Sequence, residues 1–268
     1  MRIWRLLKLE INNAFRNMAI DEAILRARIE DVVPDTLRFY RWEPSAVSFG
    51  KFQSIGDEAH LENCKKYSVD VVRRITGGGT VYHDAEDEIT YSVVASKEDL
   101  ETKDITRVYA RIYAGLAESM KILGLTTDFD AGGTKTCPNL TVNGKKISGS
   151  AQCHKGEVVL QHGTLLVGVN LEKMFTFLRV PRAKTCTEVI NIARDKVSSI
   201  KRELGKDVSV MEVHQSLIEG FQKALNIRLV DGELTAHERE LVERLYNGKY
   251  VTDDWNFYNR NIDVQWRK

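Results

Sequence analysis

The densest chemistry in the chain lies in Arg73-Arg74-Ile75-Thr76-Gly77-Gly78-Gly79-Thr80-Val81-Tyr82-His83-Asp84. Three consecutive glycines raise the entropy lost on folding. They suit a place where the backbone needs unusual φ/ψ angles or where a ligand must approach closely. The paired arginines offer fixed cationic forks for a phosphate or a carboxylate, and His83 adds an imidazole. The segment is not a Walker loop, because no G-x-x-x-x-G-K-[ST] occurs in the sequence.

A second cluster is Asn139-Leu140-Thr141-Val142-Asn143-Gly144-Lys145-Lys146-Ile147-Ser148-Gly149-Ser150-Ala151-Gln152. In a strand Lys145 and Lys146 point to opposite faces, so at most one enters a pocket. Lys146 is the candidate, since the small residues Ser148 to Ala151 that follow it leave room for a bound molecule. Its ammonium would neutralise an α-phosphate or a carboxylate. A third cluster, Gln161-His162-Gly163-Thr164, sets an imidazole and a glycine between apolar runs. Taken singly, such a lysine is usually solvated and such a histidine is usually a satisfied core group; only their combination points to a site.

The elements that must carry these clusters alternate between strand and helix without a repeat, which favours one mixed α/β domain over a string of modules. Asn17 is read as the cap of a first helix with apolar positions Ile20, Ala23, Ile24 and Ala27, running to about Asp31. Thr36 to Trp42, Ala46 to Ser48 and Val69 to Arg74 read as strands, with a short helical stretch near Leu61 to Tyr67. Thr80 to Tyr82 and Ile89 to Val94 follow as strands, the latter from its alternation. Asp104 opens a long helix with the stripe Ile105, Val108, Tyr109, Ile112, Leu116 and Leu123, ended by Gly124. Thr141 to Val142, Lys146 to Ser148, Val158 to Leu160 and Thr164 to Val167 form a β-meander with tight turns at Asn143-Gly144 and Lys155-Gly156. The last third reads as helical, with capping boxes at Ser209 to Glu212 and Thr235 to Glu238, and with Trp255 and Trp266 as anchors of a docked tail.

Composition narrows the class of function. The 268 residues are 43% hydrophobic and 29% charged with four prolines, which is a globular composition with ample core. Thirty-nine Lys and Arg nearly cancel 38 Asp and Glu, so no global field suits nucleic acid, and any acidic ligand must be held locally. The cysteines Cys64, Cys137, Cys153 and Cys186 include no Cys-x-x-Cys pair, which speaks against zinc and against a disulfide framework. The N-terminus lacks a signal-type apolar region, and no apolar run approaches the roughly 18 residues that span a bilayer. A cytoplasmic location with no membrane partner is expected.

In their order, these clusters resemble the lipoate-protein ligase family, part of the wider group that includes biotin-protein ligases and octanoyltransferases. The resemblance also covers Asn17-Met18-Ala19-Ile20-Asp21-Glu22-Ala23, Leu37-Arg38-Phe39-Tyr40 and Gln161-His162-Gly163-Thr164-Leu165-Leu166, and it is greatest to the short archaeal form, a large catalytic subunit. It implies a mixed β-sheet flanked by helices, related to class II aminoacyl-tRNA synthetase catalytic domains. One domain would span 1–268, with a helical segment from about 207 packed on it and no separate small accessory domain. The implied reaction joins lipoate to ATP, with Mg2+, giving lipoyl-adenylate, and then acylates a lysine of a lipoyl-domain acceptor such as an E2 subunit or glycine cleavage H protein. A separately encoded small accessory subunit is a further implied partner. Carried over by motif, Arg74, Gly77, Gly78, Gly79 and His83 would line the acyl and adenylate site with Asn139 and Ser150. Lys146 would contact the reacting oxygens, and His162, Gly163 and Thr164 would close the wall; no residue is assigned to a metal.

Two features depart from the ligase pattern. Pro138-Asn139 stands where ligases of this family usually carry Asn-Asp, and Cys137 lies in the loop where octanoyltransferases and lipoyl amidotransferases keep a cysteine nucleophile. Cys137 precedes Lys146 by nine residues, closer than the resemblance implies for the transferases, and Gly77-Gly78-Gly79 looks like the ligase version of the turn, so the ligase is the first expectation and an acyl transferase working through a Cys137 thioester is the alternative. A third alternative is a non-catalytic protein that binds lipoyl carriers.

Overall fold

A computed structural model of the chain describes residues 1–132, 138–180 and 185–260. In chain order the strands are β1 (Arg2–Asn12), β2 (Thr36–Trp42), β3 (Ala46–Phe49), β4 (Asp70–Arg73), β5 (Val81–His83), β6 (Glu88–Ser96), β7 (Asp128–Asp130), β8 (Asn139–Val142), β9 (Lys145–Lys155), β10 (Val158–Leu166) and β11 (Ile227–Gly232). The helices are α1 (Ala14–Ile29), α2 (Leu61–Lys66), α3 (Ile105–Ile122), α4 (Leu171–Phe177), α5 (Cys186–Lys196), α6 (Ile200–Leu204), α7 (Val210–Leu225), α8 (Ala236–Leu245) and α9 (Asp253–Asn256), with a π-helical turn at Tyr246–Tyr250.

Among the described residues, one sheet runs in the order β11-β1-β2-β6-β10-β9-β8-β7 and a smaller one in the order β4-β3-β5. The large sheet is mixed: β1 pairs parallel with β2 and β11, while β6, β10, β9 and β8 are antiparallel neighbours. One face of this sheet buries Phe39, Tyr91, Val93 and Leu165 against α3 and α7. The other face packs Tyr40, Trp42, Val94 and Leu160 against α1 and α8. Val47, Phe49 and Tyr82 of the small sheet meet Cys64 of α2 and Phe177 of α4. With both faces covered, the central strands β6 and β10 are buried along almost their whole length, polar residues such as Thr90, Ser92, Gln161 and Thr164 included.

The structure corrects several local expectations. Asn13, not Asn17, caps α1, its side chain accepting from Arg16 N. Asn17 sits one turn inside, buried, where its amide donates to the carbonyls of Asn12 and Arg41. The C-terminal third is not purely helical, because β11 leaves α7 through the left-handed Asn226 and joins β1 in parallel. The two short strands expected around His162 are one unbroken strand, β10. The expected meander is present as β8-β9-β10, with Asn143 (φ 50) and Gly144 (φ 74) making the β8-β9 turn. That left-handed pair is what a type I′ hairpin requires. Both capping boxes form, at Ser209 with Glu212 and at Thr235 with Glu238. Trp266 lies outside the described residues.

Candidate functional site

A cleft opens between the two sheets, floored by β6 and β10 and walled by the glycine turn after β4 and by β9. Arg74, Gly78, Gly79 and His83 line it on one side, and Asn139, Lys146 and Ser150 on the other. His162, Gly163 and Thr164 form its base. The three sequence clusters thus meet in one cavity. Its remaining lining is largely apolar, with Met18, Trp42, Leu166, Met174 and Leu178. Such a mixture suits a ligand with a long apolar body and one polar end.

Arg74 is 5% exposed and its guanidinium is engaged within the protein. Nη1 donates to the carbonyl and the hydroxyl of Ser48 at 2.8 and 2.7 Å. Nη2 donates to the carbonyls of Gly77 and Gly79, each at 2.9 Å. Gly77 itself is not among the residues lining the cleft; it contributes the carbonyl that Arg74 grips. The fork expected to meet a ligand anion instead shapes the turn that lines the cleft. At the crest Gly78 adopts φ 87, a conformation natural to glycine alone. Its carbonyl fills the space that a Cβ on Gly50 would need, so the two loops touch backbone to backbone.

Two hydroxyl-imidazole-carboxylate chains run beneath the cleft. Ser48 Oγ, which accepts from Arg74, lies 2.7 Å from His83 Nε2, and His83 Nδ1 lies 2.7 Å from Glu88 Oε1. The His83 ring is stacked on Trp42 with centroids 3.9 Å apart. In the second chain Thr76 Oγ1 lies 2.8 Å from His162 Nε2, and His162 Nδ1 lies 2.9 Å from Asp21 Oδ2. Arg38 and Tyr40 also donate to the Asp21 carboxylate, at 2.7 and 3.0 Å. Burial pushes Asp21 up, but the hydrogen bond from His162 and the charge of Arg38 hold its carboxyl below the ordinary value. Burial, reinforced by Arg74 and His83, holds the His162 imidazole below its ordinary value, against the pull of Asp21. His162 is thereby kept neutral, a hydrogen-bonding group rather than a cation.

Ser48, Thr76, Asp21 and Glu88 were not singled out from the sequence as site residues. Asp21 and Thr76 lie inside the quoted motifs, an acid on a helix otherwise facing the core and a threonine beside the glycines. Glu88, fully buried at the head of an apolar strand, was the other available signal. Nothing in the local sequence marks Ser48.

The β8-β9 hairpin aims the two lysines apart. Lys146 lines the cleft, whereas Lys145 Nζ donates to the carbonyl of Arg194 on α5. Lys146 Nζ lies over Gly149, 2.5 Å from where a Cβ on that glycine would sit, with Asn139 Oδ1 3.5 Å from the same point. Gly163 is equally constrained, since a Cβ there would fall 2.6 Å from the carbonyl of Gly149. Ser150 Oγ and Tyr113 OH are 2.9 Å apart, and Tyr113 OH donates to the carbonyl of Pro138. Cys137 lies outside the described residues; Pro138, the next residue, is buried.

Among the described residues no group of three or more His, Cys, Asp or Glu side chains is placed to hold a metal ion. Nor is any helix among the described residues long and apolar enough to cross a membrane.

The profile of the lipoyl protein ligase A/B catalytic domain family matches residues 13–222. The chain belongs to that family, and its mixed sheet between helices is the fold of the family's solved members. Among curated relatives, octanoyltransferase LipM of Clostridioides difficile is 34% identical, covering 96% of this chain and 99% of the relative. The LipM of Kyrpidia tusciae is 37% identical over the same shares. Among solved structures, a bi-partite lipoate protein ligase of Thermoplasma acidophilum is 31% identical with a TM-score of 0.85, covering 97% of this chain and 98% of that one. A lipoate-protein ligase A bound with ATP is also 31% identical, with a TM-score of 0.82 and coverage of 97% and 100%.

Proposed function

We propose that the protein is an acyl transferase that moves an octanoyl group from an acyl-carrier thioester to a lysine of a lipoyl-domain acceptor, with Cys137 as the intermediate acyl holder. The observation that carries this reading is the end-to-end match to octanoyltransferases, 34% and 37% identical over 96% of the chain. Cys137 and the Asn139 substitution weigh the same way, so the transferase takes precedence over the ligase that the glycine turn first suggested.

The chemistry balances without a nucleotide. The Cys137 thiolate attacks the carrier thioester carbonyl, a tetrahedral oxyanion forms, and the carrier thiolate leaves and takes up a proton. The acceptor amine then attacks the enzyme thioester, loses a proton and releases Cys137. The Lys146 ammonium would stabilise the oxyanion in both halves. Arg74 would set the glycine turn against which the acyl carbonyl rests, with Gly77, Gly78 and Gly79 as that turn. His83 and His162 would hold the floor in place, and Gly163 and Thr164 would leave room for the chain.

A second reading, the ATP-dependent ligase, is favoured by one observation: the ATP-bound neighbour aligns over nearly the whole chain. In that reading lipoate and ATP, which would bring Mg2+ on its own phosphates, occupy the cleft, and a separate small accessory subunit completes the enzyme. Incubation with apo lipoyl domain decides between them by intact mass. Acylation from octanoyl carrier protein without ATP supports the transferase. Acylation only from free lipoate or octanoate with ATP overturns it in favour of the ligase, and no acylation in either arm leaves the carrier-binding alternative.

A further inference from the structure

Arg73 is 1% exposed, and it faces away from the cleft. Its Nη1 gathers the carbonyls of Gly50, Lys51 and Gln53 at 3.1, 3.2 and 2.7 Å. Its Nε is shared by the carbonyls of Trp255 and Asn256. Its backbone is held as well: Arg73 N donates to Asn256 Oδ1 at 2.9 Å, and Trp255 Nε1 donates to Arg73 O at 2.8 Å. β4 is the edge strand of the small sheet. Two side chains of α9 thus replace the hydrogen-bond partners that a further strand would supply.

The segment that carries them is pinned from behind. Lys249 Nζ pairs with Glu22 at 2.8 Å and lies 3.9 Å from the Trp255 ring, and Tyr250 OH donates to the same carboxylate at 2.6 Å. Asn256 Nδ2 closes the segment on the carbonyl of Tyr250. In front, the loop gripped by Arg73 bears directly on the glycine turn, through Lys51 N to Thr76 O at 2.8 Å and through the contact of Gly50 with Gly78. A run of contacts therefore leads from Glu22 through α9 and Arg73 to the turn that lines the cleft. All of α9 lies beyond residue 222, where the family match ends.

We propose that Trp255 and Asn256 are positioning residues of the acyl site, setting the glycine turn through Arg73. A segment that only sealed the core would meet it through apolar contacts, whereas this one spends its polar groups on the residue that precedes Arg74. The kinetic part of the test rests on the transferase reading; the exchange part does not.

The test uses the full chain carrying Asn256→Ala or Trp255→Phe, the second keeping an aromatic ring at the position while losing the indole N–H and part of the packed surface. Glu238→Gln, which weakens the buried Arg5 to Glu238 pair at 2.6 Å, serves as a stability control outside the run of contacts that leads to the turn. In both α9 variants, hydrogen exchange at residues 50–53 and 74–79 is expected to quicken, and the KM for octanoyl carrier protein to rise about tenfold, the worth of one well-made buried hydrogen bond. The KM for the acceptor should stay within about twofold, and the control should change neither quantity. Unchanged exchange in Trp255→Phe overturns the proposal, as does faster exchange with an unchanged donor KM. If the wild-type chain transfers nothing, the transferase reading has failed, and exchange together with the Kd for octanoate still decides the role of α9.

Discussion

Lys146 Nζ occupies the space that any side chain at position 149 would need, 2.5 Å from a Cβ built on Gly149. The glycine is therefore a seat for the ammonium. Gly149→Ala should displace Nζ, at modest cost to folding because the displaced atom ends a flexible side chain. The expected result is a loss of about a hundredfold in kcat/KM, typical of removing one preorganised charge, with unfolding free energy changed by about 1 kcal/mol. Steady-state kinetics beside urea unfolding check it, and full activity in the alanine variant would contradict it.

Lys146→Ala should fall by a similar factor, on the order of a hundredfold, while Lys145→Ala should be nearly silent because its ammonium binds the Arg194 carbonyl at the surface. The pair is checked in one assay at matched protein concentration. Equal losses in the two variants would mean that the strand presents its lysines otherwise.

The selection of Lys146 over Lys145 was legible in the sequence because strand alternation is a local rule. The same holds for the Asp104 cap, the capping boxes and the Asn143-Gly144 turn, each fixed by residues within one turn of one another. What escaped were partnerships across the fold. Asp21 and His162 are 141 residues apart, and only the packing of α1 on β10 brings them together. Arg74 was read as a fork for a ligand because nothing local shows that Ser48, Gly77 and Gly79 claim its donors. Asn17 looks like a cap by type, but Asn13 precedes it by one turn and Arg38 takes its side-chain oxygen. β11 falls in the third that reads as helical, because its pairing partner, β1, is at the other end of the chain.

Arg74→Lys tests the grip on the glycine turn. A lysine keeps the charge but cannot reach Ser48, Gly77 and Gly79 together. With buried carbonyls left unpaired, stability should drop by roughly 3 kcal/mol, and exchange at residues 77–79 should quicken. A variant as stable as the wild type would show that the turn holds itself.

The pH dependence of stability follows from His162. Its folded value lies below the ordinary 6.5, chiefly through burial, so as pH falls below that point the unfolded chain takes up the proton first. This contribution is complete above 6.5 and is lost as pH falls toward the folded value. Asp21 adds a loss of the same sign below its ordinary 3.8. In urea unfolding of wild type and His162→Gln from pH 7.5 to 5, the advantage of the wild type should shrink with acidity. A constant difference would show that His162 is not held neutral.

The most direct measurement is the intact mass of the enzyme itself. Wild-type protein mixed with octanoyl carrier protein, without ATP and without acceptor, should acquire one octanoyl group that hydroxylamine removes and that Cys137→Ser does not acquire. Later addition of apo lipoyl domain should move that group onto the acceptor. An unacylated enzyme that nevertheless modifies the acceptor, or an adduct that survives in Cys137→Ser, would contradict a thioester on Cys137.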